Sequence, residues 1–138
     1  MDKILDLELE SLHHGLLSSE KFYKKPIVVF NSASHCGFTK QLTEFQKLHK
    51  EGNIVPIALP TNEFGEQEPG DNYEICQYAN TVYKVSFTVC LKTNLDHKLF
   101  KRFGKPTWNF NKYVFDSDHN FVKRLDSDIE PRKVLEYV

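Results

Sequence analysis

The chain has 138 residues, 40% apolar and 27% charged, and a net charge of −1. That length holds one ordinary hydrophobic core, and without a basic block neither nucleic acid nor an anionic membrane surface is an implied partner. Three cysteines without a C-x-x-C pair argue against a disulfide framework, and the six histidines lack the spacing of a zinc site.

In chain order, Leu5, Leu7 and Leu9 alternate with Asp6, Glu8 and Glu10, the period of an amphipathic strand rather than a signal peptide. His13-His14-Gly15 reads as a turn, which makes this an N-terminal β-hairpin. Ile27-Val28-Val29-Phe30 is a strand covered on both faces. Cys36 follows it, and Thr39 and Lys40 open a helix on which Leu42, Phe45 and Leu48 share one face before Gly52-Asn53 stops it. Ile54–Leu59 is a second buried strand, and a right-handed crossover makes the two strands parallel. Pro60–Gly70 is then a loop at the C-terminal edge of that strand, where open α/β sheets bind ligands.

A helix over Asp71–Asn80 turns Ile75, Tyr78 and Ala79 inward. Phe87–Leu91 is a strand, and Leu95, Leu99 and Phe103 mark a short helix. Tyr113–Phe115 and Phe121–Leu125 flank Asp116–Asn120 as a hairpin. Asp128 reads as the N-cap of a last helix with Pro131 in its first turn. The order predicts a single α/β domain over 1–138, a thioredoxin-like fold with a central mixed β-sheet flanked by helices. No apolar run reaches membrane-spanning length, so no stable membrane insertion is expected. Free thiols point to the cytoplasm as the expected compartment.

The chemistry centres on Cys36. A thiol near a helix start meets the positive end of the peptide dipoles and free backbone N–H groups, which favour the nucleophilic thiolate. Reducing a peroxide needs such a thiolate and hydrogen-bond donors for the departing oxygen, with neither a metal nor a strong base beside it. Gln67 offers an amide, Trp108 (the only tryptophan) an indole N–H, and Asn109 a second amide. Each has a bland alternative: a strand-end core thiol, a solvated loop amide, a core aromatic, a turn residue.

Three segments then match a family in order. Asn31-Ser32-Ala33-Ser34-His35-Cys36-Gly37-Phe38-Thr39 resembles the nucleophile segment of the glutathione peroxidase family. Pro60-Thr61-Asn62-Glu63-Phe64-Gly65-Glu66-Gln67-Glu68-Pro69-Gly70 resembles its second signature and Trp108-Asn109-Phe110 its third. The resemblance implies a thioredoxin-like fold and peroxide reduction. It puts the peroxidatic position on Cys36 and the supporting catalytic positions on Gln67, Trp108 and Asn109. It implies no cofactor, with thioredoxin or glutathione as thiol co-substrate, and hydrogen peroxide or organic and lipid hydroperoxides as substrate.

The departures matter too. Thr61 and Glu63 stand where the signature usually carries Cys and Gln, and Thr88 where relatives usually have Pro. The stretch between Leu95 and Trp108 is short, lacking what looks like the assembly element of tetrameric members, so a monomer is expected. Aligned on Gly70 and Phe87, the family's resolving position falls on Ala79. Cys76 lies three residues earlier, about 4.5 Å back along the helix, and is the resolving candidate if that helix unwinds; Cys90, on a buried strand, is the weaker one. Without such a second thiol, glutathione would attack oxidised Cys36 directly.

Two other functions share the chemistry. A general thiol–disulfide oxidoreductase wants a second cysteine at position 39, which is Thr39. A non-enzymatic redox sensor would use the same Cys36 and differ in giving one stoichiometric burst.

Overall fold

A computed structural model describes residues 9–11, 15–17 and 24–138. Strands β1 (Glu10–Ser11) and β2 (Gly15–Leu16) pair antiparallel as the expected N-terminal hairpin. Leu5, Leu7 and the His13-His14 turn lie outside the described residues.

The apolar run Ile27–Phe30 becomes β3, with all four residues buried. It pairs parallel with β4 (Val55–Ala58), in the register Ile27 to Val55 through Phe30 to Ala58. β5 (Thr88–Val89) continues the parallel side, while β6 (Lys112–Phe115) and β7 (Phe121–Leu125) extend the sheet antiparallel. The order β5-β4-β3-β6-β7 is the expected mixed sheet, with β3 at its centre.

Alternation along β3 divides the core. Val28 and Phe30 join Leu42, Phe45, Leu48, Phe87 and Val134 on one face, while Ile27 and Val29 join Leu99, Phe100, Tyr113 and Phe115 on the other. The first face is covered by α1 (Gln41–Glu51), whose Leu42, Phe45 and Leu48 are buried as the spacing predicts. Gly52 ends α1 at φ +79, its N–H bonded to the Leu48 carbonyl at 3.1 Å, a left-handed cap that a side chain disfavours. α2 (Asn72–Val82) starts on a reciprocal cap: the Asp71 carboxylate accepts from Glu74 N–H, and the Glu74 carboxylate accepts from Asp71 N–H. The second face is covered by α3 (Lys98–Phe103).

Three expectations shift. Thr39 and Lys40 do not open α1; they lie in turns with i→i+3 bonds that lead into it at Gln41. Leu95 sits in the turn before α3 rather than on it. The last element is a 3₁₀ helix, Pro131–Tyr137, entered from Glu130 rather than capped by Asp128. The reason is upstream: Gln41 Nε2 and Lys112 Nζ both donate to the Ser127 carbonyl, and Ile129 N–H bonds Asp126. The chain is still turning at Asp128, and Pro131 supplies the first residue whose missing N–H costs nothing in a helix start. Among the described residues, no helix is long and apolar enough to cross a membrane.

Candidate active site

Where β3 ends, the chain bends into the Cys36 turn, and Thr39 holds it. Thr39 Oγ1 accepts from Cys36 N–H at 2.9 Å and donates to the Ala33 carbonyl at 2.8 Å, while Thr39 N–H bonds the Cys36 carbonyl at 3.0 Å. One hydroxyl thus ties both arms of the turn, a local Thr-to-backbone pattern that competes with regular helix. The turn aims Phe38 N–H at Cys36 Sγ, 3.4 Å away. Cys36 is 9% exposed, at the margin of the core that includes Ala33 and Phe45. Beside it, Gly37 opens on free space: a Cβ there would touch nothing within 4 Å.

The loop after β4 docks on this turn by two bonds. His35 N–H donates to the Gln67 carbonyl at 3.0 Å, and Ser34 Oγ donates to Glu68 Oε1 at 2.5 Å. The loop is shaped by Asn62, whose Oδ1 accepts from Glu68 N–H, and by Gly65 at φ +67. A Cβ on Gly65 would come within 3.1 Å of the Trp108 ring and 3.4 Å of Gln67 Nε2, so the indole and the amide both lean on a bare backbone.

The third segment completes the cluster. Asn109 Nδ2 donates to Gln67 Oε1 at 3.1 Å and to the Phe64 carbonyl at 3.2 Å. Its Oδ1 is buried without a hydrogen-bond partner among the described residues. Trp108 is 36% exposed, and its ring packs edge-on to Phe64 with centroids 5.8 Å apart. Phe110, which follows Asn109, is fully buried at φ +64, a left-handed conformation that costs a bulky residue roughly 1–3 kcal/mol.

Gln67, Trp108 and Asn109 are therefore brought together, and Gln67 is fastened to the residue preceding Cys36. What is not seen is side-chain donation to the sulfur, whose hydrogen bond comes from the Phe38 amide; neither the Gln67 amide nor the Trp108 indole is bonded to it. Cys76 is not part of the cluster. Ile75, Tyr78 and Ala79 face the small gap beside Ser34 and Glu68, whereas Cys76 and Asn80 line a cavity of about 400 Å³ with Pro56, Thr88 and Val89. Desolvation pushes the Cys76 thiol above its ordinary pKa and the Cys90 thiol up to about 12, so neither is ionised at neutral pH while buried.

Sequence reading missed Thr39 as a staple, and it missed Ser34, Glu68 and Asn31. The Asn31 amide, fully buried, is bonded to the Trp108 carbonyl and to Asn111 N–H. Glu68 is also buried, and loss of solvent pushes its pKa up to about 7 against the pull of the Ser34 hydrogen bonds and the Lys92 charge. Between an unfolded value of 4.5 and a folded value of about 7 the native state holds the extra proton, so stability falls as pH rises through that window. Glu68→Gln keeps an acceptor for Ser34 and removes the titration. Urea unfolding at pH 5 and pH 8 is expected to show the variant gaining on the parent by roughly 3 kcal/mol across the interval; a pH-independent gap would refute the buried acid.

Comparisons with known proteins identify the family and the fold. The glutathione peroxidase family model matches residues 4–103. Glutathione peroxidase 7 of Mus musculus is 36% identical over 145 residues, covering 92% of this chain and 78% of that protein. The glutathione peroxidase homolog BsaA of Staphylococcus epidermidis is 29% identical over 150 residues, covering 97% and 95%. In fold, the apo crystal structure of Trgpx superposes with a TM-score of 0.72 at 24% identity, over 99% of this chain and 93% of that one. A thioredoxin-like sheet with a turn-held thiol at the end of its central strand, together with a family match over most of the length, leaves one conclusion: the chain belongs to the glutathione peroxidase family and is a thiol-dependent peroxidase.

Proposed function

We propose that the peroxidase cycle runs through Cys36, with Gln67, Trp108 and Asn109 as its catalytic partners. The observation carrying this reading is the bond from His35 N–H to the Gln67 carbonyl, extended by Asn109 Nδ2 to Gln67 Oε1, which joins the three remote segments at the thiol turn. The Cys36 thiolate attacks one peroxide oxygen and the O–O bond breaks. Sulfur is oxidised to the sulfenic acid, and the other oxygen leaves as an alkoxide or hydroxide that takes up a proton. The Gln67 amide and the Trp108 indole are the donors for that developing charge. The half-exposed ring and the open space at Gly37 suit hydrogen peroxide and bulkier organic or lipid hydroperoxides. The chain acts as a cytoplasmic monomer in this reading, with no cofactor beyond the thiol co-substrate.

The sulfenic acid is reset when a second thiol attacks it, forming a disulfide and releasing water. In the first reading that thiol is Cys76, and thioredoxin reduces the resulting bond. α2 buries only Ile75, Cys76 and Ala79 of its eleven residues, a thin anchorage that favours local opening. In the second reading glutathione attacks Cys36 directly, which the orientation of Cys76 toward a different cavity favours. Oxidation with stoichiometric peroxide, followed by disulfide mapping, separates them. A Cys36–Cys76 peptide and faster turnover with a thioredoxin system are expected from the first. A stable sulfenic acid that yields only a glutathione adduct decides for the second. A single burst without turnover in either system would make the protein a sensor.

A further inference from the structure

We infer that Asn31 is a positioning residue of the peroxidase site: it fixes the Trp108-Asn109 turn to the strand that carries Cys36. Asn31 is the first residue beyond β3 and is fully buried. All three of its polar groups given to this turn are used on backbone atoms of residues 108–111. Its Nδ2 donates to the Trp108 carbonyl at 2.9 Å, its Oδ1 accepts from Asn111 N–H at 2.9 Å, and its own carbonyl accepts from Phe110 N–H at 2.7 Å.

The two side-chain bonds hold the backbone on either side of Phe110, whose own amide is held by the backbone carbonyl of residue 31 and does not depend on the Asn31 side chain. Phe110 occupies a left-handed conformation that a phenylalanine leaves unless its surroundings hold it. The Asn31 carbonyl grips that residue's amide, and the Phe110 ring packs parallel to Phe30, one residue before Asn31, at 5.8 Å. Both restraints come from the end of β3. The left-handed residue reverses the chain just after Trp108 and Asn109, so the conformation that presents the indole and the Gln67-bonded amide is dictated by the same strand end that leads, five residues on, to the thiol. Nucleophile and donors are thereby referenced to one rigid point, and a small misplacement of such groups costs rate steeply.

The inference rests on the Cys36 reading above, so its test has a readout independent of turnover. Trp108 is the only tryptophan, and its emission reports the turn directly. In Asn31→Ala the indole is expected to become more accessible to acrylamide quenching. The single-turnover rate with hydrogen peroxide is expected to fall about ten- to a hundred-fold, and alkylation of Cys36 by iodoacetamide to keep its parent rate, since Thr39 holds that turn separately. Val134→Ala, a core truncation in the C-terminal 3₁₀ helix, serves as the stability control: matched in melting temperature, it should leave quenching and rate unchanged. Parent-like quenching and rate in Asn31→Ala, or equal losses in the Val134 control, would overturn the inference. Should Asn31→Ala fail to fold, hydrogen exchange of the parent protein decides. The Asn111 amide, which donates to Asn31 Oδ1, is expected to exchange as slowly as those of the β3–β6 pair, and exchange as fast as in the 116–120 turn would overturn the proposal. If Cys36→Ser consumed peroxide normally, the underlying reading would fail and the quenching result would still stand.

Discussion

Cys36→Ser is expected to abolish peroxide reduction while leaving the fold intact. Serine matches the thiol in shape, and the bonds that shape the turn run through the backbone of residue 36 to Thr39, so they survive the change. What disappears is the chemistry. A serine hydroxyl stays protonated at neutral pH, and its oxygen cannot take up the peroxide oxygen as sulfur does, so the loss should exceed about 10³-fold. Gln67→Ala removes a single donor and the acceptor for Asn109, for which a loss on the order of 10²-fold is expected. Peroxide consumption under single-turnover conditions measures both. A normal rate in Cys36→Ser would move the site elsewhere; equal losses in the two variants would mean that Gln67 acts on the shape of the turn rather than on the reacting oxygens.

The largest effect on stability is expected from Phe30→Ala. Phe30 lies at the C-terminal end of the central strand, fully buried, stacked on Phe45 at 3.8 Å with rings parallel. It also meets Phe87 edge-on and Phe110 face-to-face, both at 5.8 Å. One ring therefore joins α1, the approach to β5 and the turn after Trp108. Removing it leaves a cavity shared by elements that cannot all close inward, which costs about 3–5 kcal/mol. Against a typical total of about 5–15 kcal/mol that is a large fraction, and the melting temperature should drop by roughly 10–20 °C. Phe103→Ala is the comparison: that ring is only partly buried and stacks on Phe121 at 4.3 Å at the far side of the sheet, so its loss should be smaller. Thermal unfolding of the two variants side by side gives the answer, and a Phe103 deficit equal to that of Phe30 would refute the central role of the cluster. The folded fraction of Phe30→Ala should also show a more quenchable Trp108, because the Phe110 stack goes with it.

The amino-acid sequence by itself determined the elements whose causes are local. The β-branched run Ile27–Phe30, the helical spacing of Leu42, Phe45 and Leu48, the stop at Gly52 and the hairpin around Asp116–Asn120 each follow from neighbours a few residues apart, and each stands where its pattern puts it. The segments holding Cys36, Gln67, Trp108 and Asn109 were legible because they carry distinctive residues in a fixed order. Tertiary structure alone decided what holds them. The Asn31 amide reaches backbone groups 77 and 80 residues away, and backbone groups have no sequence signature. Glu68 lies in a polar loop, and only the packing of the Ser34 turn against it makes it a buried acid. Cys76 was placed on the right helix, but its facing depends on how α2 sits against β5, a rotation that spacing alone does not specify. Short-range sterics and periodicity write the elements into the chain; long-range hydrogen bonds and burial exist only once those elements have met.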